Sequence, residues 1–189
     1  MSIIVAVVGM TGSGKSVVSD FLVDKGYHFL RFGQITLDIV KEKGLEPTEE
    51  NEKGIREGVR KEHGMGAFAI LNAPKIDELL KNGNVVVDGL YSWSEYKWLK
   101  EKYGDKIKIV AVHASPEIRY KRLSERKEID EKMRNRPASV KQAKSRDYAE
   151  VENIEKAGPI AMADFHLLNE GSVNDLNMEL DKLMEKVKE

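Results

Sequence analysis

Residues 9 to 16 read Gly9-Met10-Thr11-Gly12-Ser13-Gly14-Lys15-Ser16, a complete GxxxxGK[ST] pattern set directly after the apolar run Ile3-Ile4-Val5-Ala6-Val7-Val8. No other stretch limits so tightly what this chain can fold into. The β-branched run has the composition of a buried parallel strand, and Val18, Phe21 and Leu22 follow the loop with helical spacing. Strand, glycine-rich turn and helix thus occur in the order that a phosphate cradle requires. Glycines let backbone N–H groups turn inward towards a β-phosphate, Lys15 has the length to reach β and γ oxygens, and the Ser16 hydroxyl can ligate magnesium. The helix adds its unpaired N-terminal amides and the positive end of its dipole. The alternative is a glycine-rich turn in an unrelated α/β protein, which has no need of the lysine and serine at those positions.

Length and charge narrow the partners. With 189 residues the chain suits a single domain, 1–189. Lys plus Arg (31) and Asp plus Glu (32) nearly cancel to a net charge of −1, so no global field favours nucleic acid or a membrane surface. A small anion is the expected partner. The absence of cysteine excludes disulfides, thiolate metal sites and cysteine nucleophiles. No signal-like segment or bilayer-length apolar run is present, so a soluble cytoplasmic protein, monomer or homodimer, is expected. The four histidines share no metal-ligand spacing.

Strand and helix signals alternate along the chain. Further strands are expected at Tyr27–Phe32, Val85–Val87, Ile107–Val112 and about Phe165–Leu168. Between them lie helical stretches after Gly33, from Thr48 towards His63, over residues 67–81, around Glu95–Lys102, after Ser115-Pro116 and from about Val173. Such alternation implies a mainly parallel sheet covered by helices on both faces, with ligands beyond the carboxyl ends of the strands. Gly9 and Asp88 both fall at such ends.

Asp88 follows three valines and suits an acidic residue that holds a magnesium shell or orients an acceptor; its plain alternative is a cap on the helix that follows. Six of the nine arginines lie within residues 119–146, and Arg119, Arg122 and Arg126 fall at i, i+3 and i+7 of one helix face. Guanidinium groups so gathered can clamp a transferring phosphoryl group from several sides, whereas the interspersed Glu117, Glu125, Glu128, Asp130 and Glu131 fit an ordinary solvated helix. The phosphate loop tips this choice towards a lid. Arg56 and Arg60 are candidates for an acceptor phosphate on an otherwise charge-rich helix.

Together with Val87-Asp88-Gly89, Gly44-Leu45-Glu46-Pro47-Thr48, Arg119-Tyr120-Lys121-Arg122-Leu123, Arg146-Asp147, Ala161-Met162-Ala163-Asp164 and Asn169-Glu170-Gly171, the loop resembles the P-loop nucleoside and nucleotide kinases. It is most similar to an archaeal group related to dephospho-coenzyme A kinase and adenylate kinase. The resemblance spans nearly the whole chain. It implies a three-layer α/β/α fold with a five-stranded parallel sheet in the order 2-3-1-4-5, an acceptor-binding helical region near 33–82 and a helical lid near 126–146. It implies ATP as donor with Mg2+, the loop residues 9–16 on its phosphates, Arg122 on the adenine and Arg126 on the phosphates, and Asn169 and Gly171 beside the base; the lid arginines, with Arg126 and Arg136 as the catalytic candidates, are expected to balance the transition-state charge.

Two departures fall on the acceptor side. Relatives often carry Gly-Asp after the second strand where this chain has Gly33-Gln34, and often carry Asp-Gly-x-Arg-Ser where Tyr91 replaces the arginine. Asp38, one helical turn beyond Gln34, is a substitute carboxylate. The expected activity is phosphoryl transfer from ATP to a small metabolite, with a nucleotide-binding sensor of altered chemistry as the alternative. A regulatory GTPase would carry NKxD and DxxG strings, and neither occurs.

Overall fold

In the computed structural model, residues 2–126 and 138–187 are described. The expected lid residues 127–137, Arg136 among them, lie outside that set. Five strands form one sheet: β1 (Ile4–Val8), β2 (His28–Arg31), β3 (Val85–Asp88), β4 (Ile107–His113) and β5 (Phe165–Leu168). All neighbours are parallel and the order is β2-β3-β1-β4-β5. The central strand β1 is buried along its whole length because both of its edges are paired and both of its faces are covered. Each of its valines and isoleucines contributes about 1.5–3 kcal/mol of burial.

Side chains alternate between two cores, as the two-residue period of a strand demands. Ile4, Ala6, Val8, Val85, Val87, Ile107 and Ile109 face one, while Val5, Val7, Val86, Val110 and Val112 face the other. Onto the second face fold α1 (Lys15–Asp24), through Val18 and Leu22, and α9 (Val173–Val187), through Leu176, Leu180 and Leu183. The first face receives α2 (Gln34–Glu42), α3 (Glu49–His63), α4 (Ala67–Leu79), α5 (Trp93–Tyr103) and α8 (Ala157–Ala161). Beyond the edge of this core, α6 (Pro116–Ser124) packs with α7 (Val140–Ile154).

The helix starts follow local chemistry. Thr48 Oγ1 accepts from the Asn51 amide at 3.3 Å, and α3 carries acids in its first turn and Arg60, Lys61 and His63 in its last, matching the helix dipole. Reciprocal capping boxes, Ser92 with Glu95 and Ser139 with Gln142, open α5 and α7. Residues 140–146, expected in the lid, form the first half of α7. Likewise α6 stops at Ser124, so Arg126 lies past its end and shares no continuous helical face with Arg119 and Arg122.

Candidate functional site

The loop joining β1 to α1 supplies one wall of a polar pocket at the carboxyl edge of the sheet. Thr11, Gly12, Gly14, Lys15 and Ser16 line it with Arg31, Asp88, Tyr91, Arg126 and Arg146. Helix α1 begins at Lys15 with no side chain capping its amides and no acid in its first turn, which leaves its N-terminus electropositive. Its N-cap, Gly14, has a left-handed φ of 102°, and a Cβ there would collide with Asn169 Nδ2. Gly12, at φ 83°, lies so near α6 that a Cβ would stand 2.9 Å from the Arg119 carbonyl. Gly9 passes close to the Val112 backbone and would meet Ser13 Oγ at 2.7 Å. These backbones have room for glycine alone.

The loop is held from behind. The Ser13 amide donates to the Met10 carbonyl at 3.1 Å, and Lys15 Nζ donates to the same carbonyl at 3.1 Å. Asn169, after β5, donates through Nδ2 to the Ser13 carbonyl at 2.7 Å, while its own carbonyl accepts from Arg122 at 3.0 Å. Arg122 and Asn169 therefore meet, and neither is among the residues lining the pocket. Gly171, two residues beyond Asn169, instead packs on Asp175 at the start of α9. Arg119 is turned inward: it donates to the Thr11 carbonyl at 3.0 Å and pairs with Asp147 of α7 at 2.7 Å. Only 4% exposed, it is a strut of the loop and not one of the residues lining the pocket.

Asp88 ends β3, in register with Val7 of β1 and Arg31 of β2. The cap of the following helix is Ser92, so the capping alternative for Asp88 does not apply. Lys15 is pushed down to about 7, first by burial and then by the ammonium of Lys156, against the opposing pull of Asp88 and Glu150. Burial and the Asp88 carboxylate push the Tyr91 phenol up to about 12, so it stays protonated. The pocket gathers four cationic side chains around one carboxylate, an arrangement suited to a polyphosphate.

On the acceptor side, Gln34 donates to Asp38 at 2.9 Å on the exposed face of α2, and neither residue is among those lining the pocket. Arg60 lies over the Phe68 ring at 5.0 Å, within electrostatic reach of Glu95 and Tyr91. Several contributors escaped sequence reasoning. Arg31 lines the pocket from the end of β2, a position its register opposite Asp88 explains. Glu150 and Lys156 form a buried pair behind Tyr91, and no spacing in the sequence marks them.

A model of the AAA domain matches residues 5–155. The UPF0200 protein of Thermococcus gammatolerans is 35% identical over 186 residues, spanning 97% of this chain and 95% of its own length. The chain belongs to the UPF0200 family and carries an AAA domain. A UPF0200 protein of Hyperthermus butylicus agrees at 34% over 187 residues, 98% of this chain and 95% of that one. Among solved structures, a gluconokinase from Sinorhizobium meliloti superposes with a TM-score of 0.57 at 17% identity, covering 99% of this chain and 95% of that one. A shikimate kinase from Bacteroides thetaiotaomicron gives 0.58 at 13%, covering 97% and 98%. At such identities the likeness is one of fold. This chain thus has the P-loop kinase architecture that the sequence resemblance implied, with its sheet in the order 2-3-1-4-5. Among the described residues no helix is long and apolar enough to cross a membrane.

Proposed function

We propose that this chain is an ATP-dependent phosphotransferase acting on a small metabolite that already carries an ionised phosphate. The reading rests on one observation above all: the glycine loop and Lys15 share a pocket with Asp88, Arg31, Arg126 and Arg146. Loop amides and Lys15 hold the donor's β and γ oxygens, and Arg122 with Asn169 borders the base. Arg126 and Arg146 balance charge on the transferred group, and the expectation for Arg136 is the same. Ser16 and Asp88 fit a magnesium ion, since a hydroxyl and a carboxylate are hard oxygen donors; when bound, that ion would neutralise phosphate charge and align donor with acceptor.

The acceptor class follows from the carboxylate count. Asp88 is the one carboxylate among the described residues lining the pocket, while Asp38 is engaged with Gln34 at the surface. A hydroxyl acceptor, such as the ribose of dephospho-coenzyme A, benefits from a general base, which Asp88 would have to supply in addition to holding magnesium. A phosphate acceptor, such as a nucleoside monophosphate, needs none. Arg31 and Arg60 supply positive charge on that side.

ADP release from Mg-ATP is the test, measured against nucleosides, nucleoside monophosphates and dephospho-coenzyme A. Turnover that depends on a monophosphate is the expected result. Turnover with a hydroxyl acceptor alone would reassign Asp88 as base. Tight ATP binding with no acceptor-dependent turnover across the panel would favour the sensor reading.

A further inference from the structure

The corner between α7 and α8 buries a charge that phosphate binding by the loop does not account for. Glu155 closes α7 at φ 54°, the one left-handed residue other than glycine among those described. That conformation costs about 1–2 kcal/mol. It turns the chain so that Lys156 points inward, with its side chain 1% exposed. Lys156 Nζ donates to Glu150 Oε2 at 2.6 Å and lies 4.5 Å from the centre of the Tyr91 ring. The other carboxylate oxygen of Glu150 accepts from Arg146 Nε at 2.9 Å, and Thr11 Oγ1 stands 3.5 Å from Oε2. Tyr91, Thr11 and Arg146 all line the phosphate pocket, whereas Lys156 stands behind them.

A buried ion pair is a poor device for stability, because apolar residues of similar volume commonly serve as well or better. The corner therefore needs another explanation, and its charge balance offers one. Glu150 fixes the Arg146 guanidinium, but a carboxylate paired with it alone would cancel the positive charge that a phosphate feels. Lys156 supplies the compensating charge: burial pushes its ammonium down, the Glu150 carboxylate at 2.6 Å opposes that, and with the pair ionised Arg146, Glu150 and Lys156 together carry one net positive charge. Burial alone would raise Glu150, but Lys156 and Arg146 overcome it and hold the carboxyl near 2, ionised at neutral pH. The ammonium of Lys156 is also felt at Lys15, across the pocket.

We propose that Lys156 is the charge-balancing and positioning residue of the phosphate pocket: by neutralising Glu150 it lets that carboxylate orient Arg146 without quenching its attraction for phosphate. This inference rests on the reading of the pocket as a polyphosphate site. It assigns Lys156 no contact with substrate; its influence passes through Glu150 and the Tyr91 ring.

Calorimetric binding of inorganic pyrophosphate and of a magnesium complex of a non-hydrolysable ATP analogue tests it, using wild type, Lys156→Met, Lys156→Arg and the double variant Lys156→Met with Glu150→Gln. Removing one charge at this range is expected to weaken binding about tenfold in Lys156→Met. Lys156→Arg should stay near wild type. The double variant restores the net charge through Arg146 and should recover most of the affinity. Wild-type affinity in Lys156→Met overturns the proposal, and so does a double variant that binds as weakly as the single one. Should Lys156→Met fail to fold, the double variant, free of an uncompensated buried carboxylate, carries the comparison alone, and a loss of tenfold or more against wild type is then the contradicting result. Wild type that binds neither probe would instead refute the polyphosphate reading itself.

Discussion

Asn169 Nδ2 donates to the carbonyl of Ser13 at 2.7 Å, tying the turn after the last strand to the loop after the first. The same amide group would be struck by any Cβ at position 14, so the two segments fit each other as a pair. Asn169→Ala leaves the Ser13 carbonyl and the Arg122 guanidinium with fewer partners in a largely buried setting. A loss of about 1–3 kcal/mol in urea unfolding is expected, together with weaker nucleotide binding. Unchanged stability would show that the bond does not support the loop.

Gly14→Ala separates binding from folding. Its left-handed φ of 102° and the contact with Asn169 force the loop to shift, while the strands and their core are untouched. The variant should remain cooperative in thermal unfolding yet lose most nucleotide affinity. Equal affinity in the variant would mean that this backbone is not the phosphate cradle.

Arg119 and Asp147 are expected to matter for stability rather than for phosphate contact. They are 4% and 7% exposed and joined at 2.7 Å, and Arg119 also holds the Thr11 carbonyl at 3.0 Å. Arg119→Ala strands a buried carboxylate and should cost about 3–5 kcal/mol by denaturant unfolding. Replacing both partners by Met and Leu should recover much of that loss. A small effect in the single variant would contradict the strut.

Much of this was legible in the sequence, for identifiable reasons. The β-branched runs at Ile4–Val8, Val85–Asp88 and Ile107–His113 read clearly because central parallel strands are apolar on both faces. Thr48 marked a helix start through its side-chain cap and Pro116 another through its preset φ in the first turn, although the Ser115 hydroxyl expected to cap that helix makes no capping bond, and the glycine loop marked the start of α1 without any side-chain cap. That the loop and Asp88 share a pocket followed from their positions at strand ends, whereas the expectation for Arg122 and Asn169 came from the family resemblance. What sequence patterns could not convey was tertiary pairing. Arg119 shares its spacing with Arg122, yet Asp147, on another helix, draws it into the interior. Lys156 reads as one more surface lysine until the left-handed Glu155 turns it inward, and Arg31 reads as a strand end until its register sets it opposite Asp88. Gln34 and Asp38 satisfy each other on the surface of α2, an outcome that one-turn spacing permits but does not dictate.

Glu95 gives the fold a distinct pH dependence. Its Oε2 accepts from the Tyr91 and Ser92 amides at 2.9 and 3.0 Å, while the buried Oε1 has no hydrogen-bond partner among the described residues. Burial raises the carboxyl to about 7, although both amides and Arg60 favour the charged form. Because the folded value lies above the ordinary 4.5, the protonated group's contribution is full below about pH 4.5 and is lost as pH rises through 7. Glu95→Gln keeps an acceptor for the two amides and abolishes the titration. Its stability relative to wild type should therefore improve between about pH 5 and about pH 8, by up to about 3 kcal/mol in urea unfolding. A difference that is the same at both pH values would contradict this role.

Thermal stabilisation by Mg-ATP in wild type and in Lys15→Ala tests the central claim most directly. At roughly a hundredfold excess over Kd, wild type should gain about 2–3 kcal/mol and a higher Tm, while Lys15→Ala, folded to the same extent without ligand, should gain almost nothing. Equal shifts in the two proteins, or none in wild type, would contradict the assignment of the loop from Gly9 to Ser16 as the site that grips the donor's phosphates.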